Sequence, residues 1–122
     1  MTPQQLIGNK GENIATNYLI ENGYVIKDRN WRFSRAEVDI IAEKSDVLVF
    51  VEVKTRSSDY FGKPVSFVNA KKEQFMAEAA SAYMEEINYN WEIRFDVIGI
   101  LLKQGVVLEI EHFQDAFFPG LS

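Results

Sequence analysis

The chain has no cysteine and a single histidine, His112, among its 122 residues. Without thiols there can be no disulfide scaffold, thiolate zinc site, iron–sulfur cluster or cysteine nucleophile. One histidine also excludes a multi-histidine metal centre. No apolar run approaches the roughly 20 residues that span a bilayer. The start, Met1-Thr2-Pro3-Gln4-Gln5, lacks the basic and apolar parts of a signal peptide. No repeat, linker or low-complexity stretch is visible. With 47% hydrophobic residues, the chain is expected to form one soluble domain over residues 1–122, cytoplasmic and without a membrane partner.

Positive charge is also short overall. The formal charge is −5 and the pI about 4.9, which argues against a protein that coats duplex nucleic acid. The balance is uneven, however. Through Lys72 there are 11 basic against 9 acidic residues, and from Glu73 onward 2 against 9. A polyanion site is therefore expected in the first part of the chain.

Thr2 as N-cap, Pro3 at the first helical position and Gln5 in a capping box predict a helix over 3–22, closed by Asn22-Gly23. Leu6, Ile7, Ile14, Ala15, Tyr18 and Leu19 form its apolar stripe. Glu12 lies off the middle of that stripe, where a solvated glutamate is the ordinary reading. Residues 24–33, 36–43 and 47–55 read as three strands joined by short polar turns, which forces an antiparallel meander. The third strand is apolar on both faces until its end, as a central strand should be. A loop follows over 56–69, then a second helix from Ala70 to about Ile87, capped by Asn69. Residues 92–102 and 106–113 read as strands around a turn at Lys103-Gln104-Gly105. The resulting order is α-β-β-β-α-β-β, an α/β fold with the fourth strand parallel to the third.

Chemistry concentrates in Ala36-Glu37-Val38-Asp39-Ile40-Ile41 and Phe50-Val51-Glu52-Val53-Lys54. Side chains alternate along a strand, so Glu52 and Lys54 share one face and Glu37 and Asp39 another. If the register sets Asp39 beside Glu52, two carboxylates and an ammonium converge on an otherwise apolar sheet. Carboxylates about 5 Å apart repel by roughly 3 kcal/mol at an effective dielectric of 20. A divalent cation reverses that sign, and oxygen-only ligands favour Mg²⁺ or Mn²⁺ over zinc. Lys54 can then orient or deprotonate a water, or stabilise phosphate charge. Arg35, Arg56, Lys71 and Lys72, with Arg29 and Arg32, are candidate phosphate contacts. His112 reads as a surface or packing residue, and Asp96 as a structural residue pairing with Arg94 or a helix end. Trp31, Phe33, Tyr60 and Trp91 are aromatics that either fill the core or stack on bases.

The joint pattern resembles the YraN-type family of bacterial proteins, relatives of the PD-(D/E)XK nuclease superfamily close to the archaeal Holliday junction resolvases. The likeness runs through Gly11-Glu12, Glu37-Val38-Asp39-Ile40-Ile41, Val49 to Arg56, Phe61-Gly62, Lys71, Arg94-Phe95-Asp96-Val97 and Asp115-Ala116-Phe117. It implies a restriction-endonuclease-like core with a mixed sheet of about five strands flanked by helices. It further implies that Asp39 and Glu52 hold a Mg²⁺ or Mn²⁺ ion, that Lys54 serves the attacking water and that Glu12 approaches from the first helix, with Glu37 in a supporting place. Ala36 departs from the family, which usually has Gly there, and accommodation is expected. The implied activity is hydrolysis of phosphodiester bonds in structured or branched DNA, with a homodimer cutting two strands. The alternative is a non-catalytic module of the same fold that binds nucleic acid or a protein partner.

Overall fold

The computed structural model describes residues 3–57 and 70–117. Helix α1 (Pro3–Glu21) is followed by strands β1 (Val25–Phe33), β2 (Ala36–Lys44) and β3 (Val47–Ser57), helix α2 (Ala70–Glu86), and strands β4 (Ile93–Lys103) and β5 (Val106–Phe113). The strands form one five-stranded sheet in the order β1-β2-β3-β4-β5. Pairing is antiparallel except between β3 and β4, which run parallel. This is the expected mixed α/β sheet. Thr2, the segment from Ser58 to Asn69 with Tyr60, Phe61-Gly62 and the Asn69 cap, and the tail from Phe118 lie outside the described residues.

Local chemistry sets the element ends. Gly23 takes φ +88° after α1, while Tyr24 N–H donates to Leu19 O at 3.0 Å and Gly23 N–H to Ile20 O at 3.1 Å. These two bonds make a Schellman cap, which buries Tyr24 against Leu19. Asn88, at φ 55°, closes α2 in the same way, with Tyr89 N–H on Met84 O at 2.8 Å. Ser45 and Asp46, both at positive φ, make the tight turn from β2 to β3, and Gln104 and Gly105 the turn from β4 to β5.

Each sheet face carries one helix. Ala15 and Leu19 of α1 pack on Ile40, Val49, Val51, Val53, Ile98 and Ile100. Met76, Ala79, Ala80 and Tyr83 of α2 pack on Val38, Ile41, Leu48, Phe50, Phe95 and Val97. Alternate β3 residues feed the two cores, which is why that strand is apolar on both faces. Strand β3 continues two residues further than its sequence suggests, because pairing with β4 extends through Arg56↔Leu101 and Ser57↔Leu102. Ala36 has no positive φ and is buried against the α2 core, so the family glycine is replaced without backbone strain. Trp31 turns edge-on to Tyr83, whereas Phe33 and Trp91 are exposed. Phe117 packs back on Phe95. Among the described residues, no helix is long and apolar enough to cross a membrane.

Candidate functional site

The ladder between β2 and β3 runs from Lys44↔Val47 at the turn to Ile40↔Val51 and ends there. Continuing the same register would set Asp39 opposite Glu52. Instead of a backbone partner, Val53 N–H finds the Asp39 carboxylate and donates to Oδ2 at 2.7 Å. The two strands part at this point, β2 staying with β1 and β3 with β4. The gap puts Asp39 and Glu52 on the walls of a pocket on each face of the sheet. On the α1 side they line a pocket of about 510 Å³ with Glu12, Lys54, Thr55 and Arg56. On the α2 side they line one of about 430 Å³ with Arg35, Glu37, Lys71 and Lys72.

Glu12 is brought to the gap by the residue before it. A Cβ at Gly11 would stand 1.7 Å from Thr55 Oγ1, so α1 can cross β3 this closely only on a glycine. The Glu12 side chain is 18% exposed, with Arg29 Nη2 at 3.9 Å from its Oε1. Burial raises its pKa and the Arg29 charge opposes the rise. The solvated glutamate of the sequence reading is thus partly withdrawn from water and faces the acidic pair.

Glu52 is buried, 4% exposed. Its Oε1 receives the Lys72 ammonium in direct contact and has Lys54 Nζ at 3.6 Å. Burial, and then the Glu52 charge, push the Asp39 carboxyl up to about 8, against the Val53 hydrogen bond that lowers it. Burial and the neighbouring Lys72 charge hold Lys54 below the ordinary lysine value, with Glu52 opposing them. For Lys72 burial pulls down, but the Glu52 carboxylate prevails and the net shift is upward. Among the described residues no three acidic or histidine side chains gather as a ready metal cage. The carboxylates that neighbour one another are Asp39 and Glu52, with Glu12 on the pocket wall.

The remaining candidates spread around this centre. Arg35 and Lys71 are exposed at the α2-side pocket, Lys71 Nζ lying 5.9 Å from the Phe75 ring centre. Arg56 is half-buried along the α1-side pocket. Glu37 is tied to Arg32 Nε at 2.8 Å, and its charge contributes to the raised pKa of Glu12. Lys72, a candidate phosphate contact in the sequence, borders the α2-side pocket with its ammonium on Glu52. A lysine in the first turn of a helix gives no sequence sign of which way it turns.

Asp96 belongs to a separate cluster on the α1 side of the sheet. It is fully buried, and it accepts from Arg94 Nε at 2.8 Å and Nη2 at 2.9 Å and from Asp115 N–H at 3.0 Å, with His112 Nε2 at 2.7 Å. Tyr18 Oη lies 3.1 Å from His112 Nδ1, and Arg94 also donates to Tyr24 Oη at 2.7 Å. Although burial raises its pKa, hydrogen bonds from His112, Arg94 and the Asp115 backbone hold Asp96 below the usual carboxylate range. This network binds β4, β5 and α1 together and lines neither pocket of the gap.

Comparison with known proteins agrees with the sequence resemblance. The sequence model described as Uncharacterised protein family UPF0102 matches residues 11–100. A UPF0102 protein of Flavobacterium psychrophilum is 45% identical over 112 residues, covering 92% of this chain and 93% of its own. One from Christiangramia forsetii is 44% identical over 118 residues, covering 97% and 98%. Another from Bacteroides thetaiotaomicron is 41% identical over 121 residues, covering 99% of each chain. Among solved structures, Pyrococcus furiosus SfsA in complex with Ca²⁺ matches at 18% identity and a TM-score of 0.39, over 91% of this chain and 63% of that one. At that distance the likeness carries no information about function. On the family match and the full-length relatives, this chain belongs to the UPF0102 family, the YraN-type proteins of the PD-(D/E)XK-like nuclease group.

Proposed function

We propose that this protein is a Mg²⁺- or Mn²⁺-dependent endonuclease that hydrolyses phosphodiester bonds in structured or branched DNA. The observation that carries the reading is the convergence of Asp39, Glu52 and Lys54 where β2 and β3 part, with Glu12 on the wall of the same open pocket. The donors suit a hard divalent cation. They are oxygen-only, and the charge of Glu52 already disfavours ionisation of Asp39, a conflict that a cation between them relieves.

Asp39 and Glu52 hold the ion in this reading, and Glu12 approaches it from α1. When bound, Mg²⁺ or Mn²⁺ supplies Lewis-acid stabilisation of phosphate charge and acidifies an attacking water. Lys54, its ammonium made easier to deprotonate by burial and by Lys72, holds or takes the proton of that water. Arg35, Arg56 and Lys71, at the pocket walls, bind flanking phosphates and fix the DNA in place. Glu37 keeps Arg32 beside the site without entering the chemistry.

A second reading, a non-catalytic module that binds nucleic acid or a protein partner, draws support from the Lys72–Glu52 pair, which neutralises the buried carboxylate from within the chain. The two readings separate on variants. Asp39→Asn and Lys54→Ala should each abolish metal-dependent cleavage while circular dichroism and melting show a folded protein. Unchanged turnover in either variant removes the catalytic assignment. Binding that survives Asp39→Asn, with no turnover in the native protein, selects the module. Symmetric cutting of two strands also calls for paired subunits, and light scattering with branched DNA should then find two chains per substrate.

A further inference from the structure

Building on the metal-dependent reading, we propose that Lys72 is the resident counter-ion of the site: its ammonium takes the place of a divalent cation at Glu52, so that metal loads by exchange and releases Lys72 to a flanking phosphate.

Three observations converge. First, Glu52 Oε1 carries two ammonium groups, Lys72 in contact and Lys54 at 3.6 Å, and Lys72 also lies within electrostatic reach of Asp39. Two ammonium groups thus already meet at the one buried carboxylate of Glu52. A divalent ion added there would put further positive charge beside both of them in a half-buried gap, which the site avoids if one ammonium leaves.

Second, the two lysines are held differently. Lys54 lies two residues from Glu52 on the same strand, and strand geometry keeps it beside the carboxylate. Lys72 reaches over from α2 on a flexible four-carbon stem. Third, there is somewhere for Lys72 to go. Its side chain remains 33% exposed, and it borders the α2-side pocket alongside Arg35 and Lys71. Swung into that pocket, its ammonium joins the two cations suited to hold a phosphate. One residue therefore stabilises the metal-free protein and then binds substrate, and the order of events, metal before phosphate, follows from the exchange.

The test is calorimetric titration of Mn²⁺ into the native protein, Lys72→Met and Glu52→Gln at one pH and ionic strength. Removing the competing ammonium should tighten Mn²⁺ binding by about tenfold or more, and Glu52→Gln should lose it. In the native protein, acetylation of Lys72 followed by mass spectrometry should be slow in chelator and faster in Mn²⁺, with exposed Lys103 unchanged; this readout does not depend on the folding of any variant. Equal or weaker Mn²⁺ binding by Lys72→Met, with binding still lost in Glu52→Gln, overturns the exchange and leaves the metal site standing. So does Lys72 labelling that ignores Mn²⁺. No Mn²⁺ binding to either the native protein or Lys72→Met overturns the metal-dependent reading and the exchange together.

Discussion

Asp39 shows how a single side chain can be both structural and chemical. It caps the Val53 N–H that the parted strands leave without a backbone partner, and burial with the Glu52 charge raises its carboxyl to about 8. An aspartate in an unfolded chain titrates near 3.9, so the folded protein binds this proton more tightly. The resulting stability is fully present below about pH 4 and is lost as pH rises through about 8, at up to roughly 1.4 kcal/mol per pH unit. Melting of the native protein and Asp39→Asn in chelator, between about pH 5 and pH 9, should show the native protein losing stability relative to the variant as pH rises. Parallel curves contradict this. Asp96 is a carboxylate of the other kind, satisfied on all sides. Asp96→Ala leaves Arg94 and His112 without their buried partner and should cost about 3–5 kcal/mol of stability by chemical denaturation, although Asp96 touches neither pocket of the site. Asp39, Glu52 and Lys54 are legible in the sequence because strand alternation and hairpin register are short-range rules. The inward turn of Lys72 and the tie of His112 to Asp96 are not, since each depends on elements distant in the chain.

Among the elements, the decisive feature is the early end of the β2–β3 ladder at Ile40↔Val51. The sequence places both strands and their turn, but not the separation, which arises because each strand follows its other neighbour beyond that point. Strand β3 likewise reads as ending at Thr55, because Arg56 and Ser57 are polar; pairing with β4 carries the strand on. The approach of α1 is equally specific. Gly11 lies where a side chain would collide with Thr55, so Gly11→Ala should cost about 1–3 kcal/mol through overpacking, less up to about 1 kcal/mol regained from helix propensity. Because the helix must shift to make room, Glu12 moves with it. Cleavage should therefore fall in Gly11→Ala even at temperatures where the variant is fully folded, and Thr55→Ala, which removes the colliding Oγ1 and Cγ2, should restore part of both losses. Full activity in a stable Gly11→Ala would show that the position of Glu12 is unimportant.

For the whole molecule, charge separates along the chain and in space. The basic residues of the first part border the gap, as Arg35, Arg56, Lys71 and Lys72, while Glu78, Glu85 and Glu86 lie along a different groove on α2. Nucleic acid should accordingly meet the protein on one face through few phosphates. With about three or four such contacts, log K should fall against log salt with a slope of roughly −3, and replacing Arg35 or Lys71 by alanine should flatten it by about one. A slope unchanged in both variants would place the DNA elsewhere. Metal-dependent nuclease activity is tested by cleavage of labelled single-stranded, duplex, flap and four-way-junction DNA, with RNA alongside, in Mg²⁺ and in Mn²⁺, by the native protein and by Glu52→Gln purified identically. Metal-dependent cutting of a branched DNA by the native protein and none by the variant is the expected result; equal activity in both, or none from the native protein on any substrate, would overturn the nuclease reading.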